Sequence, residues 1–284
     1  MNIQLCAFAD EASPNLSEQI AALNLHGIPY LELRGVNGKN VSKCTPEEAA
    51  EWKRELDAGG IRVWSIGSPI GKVSLEKPFE EHLALAENIF RIANVLECDK
   101  VRMFSFFTSD PSEEETVYAN LTALCELAAR YGVTLYHENE KGIWGDLAPK
   151  CAKLLDRVPA LRAVFDPANY VQCGQNISEA LALLQARTDY YHIKDALYAD
   201  GAVVPPGRGD GCMEQMIAGI AHDTVLTLEP HLKVFDGYGG IDDTELKNKY
   251  VYATAAESFA AAVNALKDIL RKLNYVEENR TWKK

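Results

Sequence analysis

Short apolar runs alternate along the whole chain with longer segments whose apolar residues recur every three or four positions. The runs IQLCAFAD (3–10), YLELRG (30–35), IRVWSIGS (61–68), DKVRMFSFF (99–107), VTLYHENE (133–140), LRAVFDPANY (161–170), DYYHIKDA (189–196) and DTVLTLEPHL (223–232) read as strands. Between them the spacing predicts helices, the clearest over 77–97, 113–132 and 254–273. Thr45-Pro46-Glu47-Glu48 predicts a helix start: Thr45 caps, Pro46 takes the first helical position and Glu48 completes a capping box. Gly59-Gly60 ends that helix. Strict strand–helix alternation implies parallel strands with helices outside. Eight such units in roughly 250 residues predict a (β/α)8 barrel, as a single domain over residues 1–284. The alternative, a doubly wound open sheet, would carry a glycine-rich phosphate loop after its first strand. Here that strand runs into ADEASPNL.

Composition narrows the partners. The chain has 284 residues, 47% of them hydrophobic, and a net charge of −12. Such a surface repels a phosphate backbone, and the closing WKK is the longest basic block, so nucleic acid is not expected as a partner. No apolar stretch is long enough to cross a membrane. Seven cysteines, odd in number, scattered and without a CxxC, predict reduced thiols in a cytoplasmic protein. The N-terminal MNIQLCAFADEAS lacks the basic-then-apolar pattern of a signal peptide.

In a barrel of this kind the chemistry sits at the C-terminal ends of the strands. Strand five ends in Glu138, strand six in Asp166, strand seven carries His192 and strand eight ends in Glu229. Each alone reads as a cap, a turn residue or a core histidine; four in register on consecutive strands read as a site. Three carboxylates around one imidazole repel one another unless a cation joins them. The donor set suits one divalent metal ion, Mn²⁺, Mg²⁺ or Co²⁺, with Zn²⁺ also compatible. Lys194 shares the strand parity of His192 and is placed either to meet a substrate oxygen or to pair with Asp195 or a neighbouring carboxylate. Glu32 and Arg34 end strand two on one parity and are expected to flank the substrate pocket. Trp144, in KGIWGD, reads as a stacking lid or a core residue. His231 shares the parity of Glu229, and Arg208, in VPPGRGDG, is placed to bind an acidic or phosphate group.

These motifs — Glu138 in HENE, FDPANY with Asp166, YHIKDA with His192, LEPHL with Glu229 — resemble the xylose isomerase-like barrel superfamily, and within it the sugar phosphate isomerase/epimerase group. The resemblance covers nearly the whole chain. It implies that Glu138, Asp166, His192 and Glu229 bind one divalent metal. It also implies that Glu138 and Glu229 act as the acid/base pair of an isomerase or epimerase on a small carbohydrate. Such an enzyme removes a proton beside a metal-bound carbonyl and passes through an enediolate. Asn169 stands where several epimerases of the group have a substrate-binding histidine, and Glu140 replaces another histidine of the common pattern. HIKD also resembles the inosose dehydratase branch, which makes a metal-dependent dehydratase or lyase on a keto-sugar or keto-cyclitol the alternative. The superfamily's nucleases use a histidine-rich three-metal cluster; this chain has six histidines, one of them clearly at a metal position. A non-catalytic sugar-binding barrel is opposed by the intact ligand positions. The final helix and the aromatic tail around Tyr275 and Trp282 either cover the barrel or pair with a second subunit in a homo-oligomer.

Overall fold

Eight parallel strands close on themselves in the computed structural model, which describes residues 1–235, 247 and 249–284. They are β1 (Asn2–Ala7), β2 (Tyr30–Leu33), β3 (Arg62–Gly67), β4 (Lys100–Met103), β5 (Thr134–Glu138), β6 (Arg162–Phe165), β7 (Tyr190–Ile193) and β8 (Thr224–Leu228). Each pairs with the next, and β8 returns to β1 with Leu226 opposite Leu5. Helices cover the outer face: α1 (Leu16–Leu25), α2 (Pro46–Ala58), α3 (Phe79–Val95), α4 (Glu114–Arg130), α5 (Ala148–Arg157), α6 (Pro167–Gln172), α7 (Ile177–Leu184), α8 (Met213–Ala218) and α9 (Ala255–Lys272). Strands sandwiched between barrel interior and helices have no wet face, which is why their sequences are nearly continuous apolar runs. The helices keep a stripe: α4 buries Val117, Leu121, Leu124 and Ala128, one residue per turn. The capping box at Thr45 is formed, with Pro46 at the first position.

The strands stop earlier than their apolar runs suggest. The run over 161–170 is strand only to Phe165. Asp166 then caps α6, its Oδ1 accepting the Asn169 backbone N–H at 2.8 Å, and Pro167 opens the helix. β4 likewise ends at Met103, four residues short of Phe107.

The barrel interior has two layers. The lower is a plug of Cys6, Tyr136, Val164, Tyr190 and Val225, with Tyr30 and Trp64 packed against it. Tyr190 is its centre, with ring centroids 5.5 Å from Tyr136 and 6.2 Å from Trp64. Two positions further along the same strands, on the same inward face, come Glu138, Asp166 and His192.

The tail closes a gap created by strand stagger. β1 meets β2 only from Cys6 onward, so its first residues lack a partner on that side. A hairpin of β9 (Val276–Glu278) and β10 (Thr281–Lys283) fills the space antiparallel, with Trp282 opposite Ile3. Trp282 is 2% exposed and joins the main core, so it covers the barrel rather than offering itself to a second subunit. All seven cysteines are free thiols, five of them buried. Among the described residues no helix is long and apolar enough to cross a membrane.

The loop after β7 is built around one carboxylate. Asp195 accepts the backbone N–H groups of Gly207 and Gly209 on Oδ2 and of Ala196 and Gly211 on Oδ1, at 2.9–3.0 Å. A Cβ at Gly209 or Gly211 would stand 2.4 or 2.7 Å from Asp195 Oδ1, so the glycines of PGRGDG are required by the wrap itself.

Two outcomes are expected. Trp282→Ala lowers the unfolding free energy by about 3–5 kcal/mol in urea titration, the cost of emptying a core aromatic site. Asp195→Ala speeds amide exchange at Ala196, Gly207, Gly209 and Gly211 by at least about tenfold, since these four backbone donors lose their acceptor together.

Candidate metal centre

Four side chains meet at the C-terminal mouth of the barrel. Glu138 is the last residue of β5, Asp166 follows β6, His192 lies within β7 and Glu229 follows β8. All are at most 3% exposed, and one ligand atom from each lies within 4.8 Å of the others. His192 Nδ1 is the hub: 3.0 Å from Glu138 Oε1, 3.2 Å from Glu229 Oε2 and 4.0 Å from Asp166 Oδ2. Backbone ties hold the strand ends in register. Asn139 clamps the Asp166 peptide reciprocally, donating from Nδ2 to its carbonyl at 2.8 Å and accepting its N–H on Oδ1 at 2.9 Å. The Glu229 N–H donates to the Ile193 carbonyl at 3.3 Å.

Each carboxylate has its own cation. Arg102, from β4, places Nε 3.1 Å from Glu138 Oε2 and donates from Nη1 to the Ser68 carbonyl. Lys194 Nζ lies 3.0 Å from Asp166 Oδ2 and 3.5 Å from Glu229 Oε2. Arg34 Nη1 donates to Glu229 Oε1 at 2.9 Å. Burial disfavours every one of these charges, and the neighbours decide the outcome. His192 and Arg102 bring the Glu138 carboxyl down to about 2 against its burial and against Glu229. Glu229 is buried, yet the charge of Lys194 and the hydrogen bonds that Glu229 accepts from His192 and His231 take it well below the usual range. Asp166 goes the other way: burial lifts it to about 7, since Lys194 does not offset the charges of Glu138 and Glu229. His192 is buried, yet Glu138 and Glu32 raise it well above a normal imidazole.

The donor set fits a divalent cation. Asp166 Oδ2 is buried and makes no hydrogen bond; its Lys194 contact is an ion pair without that alignment. Around it six buried carboxylates (Asp10, Glu11, Glu32, Glu138, Asp166, Glu229) face three permanent cations (Arg34, Arg102, Lys194) and the His192 imidazole, so negative charge is in excess. One divalent ion removes most of that excess.

The remaining residues singled out from sequence fall in several places. Asn169 reaches the centre, donating from Nδ2 to Glu138 Oε1 at 3.2 Å and to the Asn139 carbonyl at 2.8 Å. His231 Nε2 stands 3.4 Å from Glu229 Oε1 and Glu11 Oε1. Arg208 is exposed on the Asp195-bound loop, outside the buried cluster. Glu32 does not flank a pocket. It is fully buried beneath the centre, with Oε2 3.3 Å from His192 Nε2 and Oε1 accepting from Tyr190 Oη at 3.0 Å. It fixes which imidazole nitrogen faces the ligands. Arg34 is 3% exposed, and its donors are turned to the protein acceptors Asp10, Glu11 and Glu229. Trp144 is core rather than lid: it is 4% exposed, packed into the main cluster, with its backbone N–H on the Phe106 carbonyl. The sequence reading passed over Asp10, Glu11 and Arg102. Asp10 and Glu11 directly follow the first apolar run, at the same rim, and Arg102 is a charge inside the apolar KVRMF; both signals were present.

No curated protein sequence matches the chain. Solved structures share its fold. The probable 3-DHS dehydratase AsbF of Bacillus anthracis is 17% identical, with 93% of this chain and 98% of that one covered and a TM-score of 0.72. The IOLI protein with a bound zinc atom is 19% identical over 95% and 98%, also with a TM-score of 0.72. D-allulose 3-epimerase from Methylomonas sp. is 14% identical over 94% and 98%, with a TM-score of 0.73. Residues 20–268 match the model of one family along nearly the full barrel, and the chain therefore belongs to the xylose isomerase-like TIM barrel family.

Proposed function

We propose that this protein is a divalent-metal-dependent isomerase or epimerase of a sugar or keto-sugar derivative. The observation that carries this reading is the convergence of Glu138, Asp166, His192 and Glu229 within 4.8 Å, with Asp166 Oδ2 buried and unbonded. These four residues hold Mn²⁺, Mg²⁺ or Co²⁺, with Zn²⁺ also compatible. When bound, the ion supplies Lewis-acid polarisation to a substrate carbonyl.

The protein's own groups supply the rest. Glu138 and Glu229 are both held ionised, so either can accept the proton on the carbon beside the carbonyl. Return of that proton to the opposite face gives an epimer, and delivery to the neighbouring carbon gives an isomer. Lys194, at the Asp166 and Glu229 carboxylates, offers an ammonium to the oxygen on which the enediolate charge develops. Asn169 and Arg102 hold Glu138 in place between them. Arg208, exposed on its loop, is the group for an acidic substituent of the substrate. Likeness to both an epimerase and a dehydratase supports a second reading, dehydration of a keto-sugar or keto-cyclitol. Its first step is the same proton removal, after which Lys194 would protonate the departing hydroxyl.

The wild-type protein, purified without chelator, is expected to carry about one equivalent of a divalent ion by elemental analysis, and His192→Ala to carry far less. Wild type without metal, even after reconstitution with Mn²⁺, Co²⁺ or Mg²⁺, would overturn the reading. In D2O with a panel of keto-sugars, mass spectrometry should show deuterium entering beside the carbonyl with no loss of mass; loss of water would select the dehydratase. Glu138→Gln and Glu229→Gln should each slow that exchange by about 10²–10⁴-fold. Glu32→Gln should weaken metal binding about 10–100-fold by chelator competition, with the same ion still bound at saturation.

A further inference from the structure

Glu229 is shared between two sets of ligand atoms. Oε2 faces His192 and Lys194 in the centre already described. Oε1 faces a second buried set, in which ligand atoms of Glu11, Glu229 and His231 also lie within 4.8 Å of one another. Two carboxylates and an imidazole, one carboxylate bridging to a neighbouring metal set, is the donor chemistry of a two-ion site. This second set is already occupied by a cation of the protein's own, Arg34.

The guanidinium is engaged. Nε donates to Asp10 Oδ2 at 2.9 Å. Nη2 donates to Asp10 Oδ1 at 2.9 Å and to Glu11 Oε1 at 3.1 Å. Nη1 donates to Glu229 Oε1 at 2.9 Å and faces His231 Nε2 at 3.4 Å. An arginine has five N–H donors, and four of them here are on carboxylate oxygens. Two aromatic rings stand against the guanidinium, with the centroids of Phe8 at 4.3 Å and Phe235 at 5.0 Å from its central carbon. The backbone N–H of His231 donates to Glu11 Oε2 at 2.7 Å, which fixes the far wall of the set against the same carboxylate.

We propose that Arg34 is a built-in cation that takes the place of a second divalent ion among Glu11, Glu229 and His231, and so restricts this barrel to one metal. The proposal rests on the one-metal reading above and deepens it. A fixed guanidinium satisfies the charge of the set but cannot exchange, bind a water as nucleophile or accept a substrate oxygen. In-line displacement at a phosphodiester between two ions is thereby closed to this site. What remains is single-ion chemistry beside a Glu229 whose Oε1 is anchored and whose Oε2 is turned to the first centre.

The test is metal stoichiometry after saturation with Mn²⁺ and gel filtration, with circular dichroism and melting as the check on folding. Arg34→Met is expected to bind one more equivalent than wild type and to give the exchange-coupled electron paramagnetic resonance signal of two Mn²⁺ ions sharing a carboxylate. Arg34→Lys and the double variant Arg34→Met/His231→Ala are expected to stay at the wild-type number. A folded Arg34→Met with no added equivalent overturns the proposal. Should Arg34→Met not fold, Glu11→Gln and His231→Ala in the wild-type background decide. Metal content unchanged in both supports Arg34 as the occupant, and a loss of metal in either shows that the second set ligates an ion in the native protein and overturns it. Wild type without any metal sinks the one-metal reading, whereas the difference between Arg34→Met and wild type tests this inference separately.

Discussion

Six carboxylates buried in the mouth of one barrel are the constraint on which the rest of this structure turns. An unpaired ion costs several kcal/mol when taken from water, so each must be matched where it stands. The matching runs in a chain: Asp10 and Glu11 to Arg34, Arg34 to Glu229, Glu229 and Asp166 to Lys194, Glu138 to Arg102. Phe8 sits at the junction. Both guanidinium groups stand over its ring, at 4.3 and 5.5 Å, and the His192 ring meets it edge-on at 5.3 Å. An aromatic face there lets two like charges approach one centre without an acid between them. The matching still leaves negative charge in excess, and burial pushes two of the six carboxyls upward, Asp166 to about 7 and Glu11.

The centre is held from below as firmly as from the side. His192 is fixed through Glu32 to Tyr190, and Tyr190 is the middle of the aromatic plug that fills the barrel. A ligand resting on packed rings keeps its geometry whether or not a cation is present, which lowers the reorganisation needed on binding. The motif letters acquire separate jobs in this light. In HENE, Glu138 faces the centre, Asn139 locks the neighbouring strand end through two amide hydrogen bonds, and Glu140 pairs with Lys72 at 3.2 Å. In HIKDA, His192 and Lys194 face the centre, while Asp195 leaves it to organise the 205–211 loop.

The strands and the four-residue cluster were legible because burial on both faces writes an uninterrupted apolar run, and a charge ending such a run stands out. The same rule covers Asp10, Glu11 and Arg102, so their omission reflects incomplete use of a visible signal. Other features are not written in local pattern at all. Parity places Glu32 and Arg34 inside the barrel but does not distinguish a residue that meets substrate from one that supports His192 or neutralises Glu229. KGIWGD gives no direction for Trp144, because a loop has no period. The closing hairpin is nearly all polar, and its reason for forming is the stagger between β1 and β2, a property of the closed barrel.

The two carboxylates assigned to proton transfer are not equivalent. Glu138 is gripped by a guanidinium, an amide and the imidazole, all 0–4% exposed and fixed by packing. Of these three neighbours only the His192 imidazole titrates, and its Nδ1 also faces Glu229, since arginine stays charged and an amide does not titrate. Glu229 touches Lys194, an ammonium that also reaches Asp166. The Glu229 side adds Lys194 and Asp166 to the groups that can carry a proton, while on the Glu138 side His192 alone stands beside the carboxylate as a second titrating group. An epimerisation needs only two such carboxylates acting in turn. A dehydration needs, in addition, a donor that can follow the leaving oxygen, and Lys194 is the residue of this cluster with both the proton and the reach. The choice between the two reactions accordingly rests on where the substrate places its second hydroxyl relative to Lys194, a matter of the pocket above the charged layer and not of the layer itself.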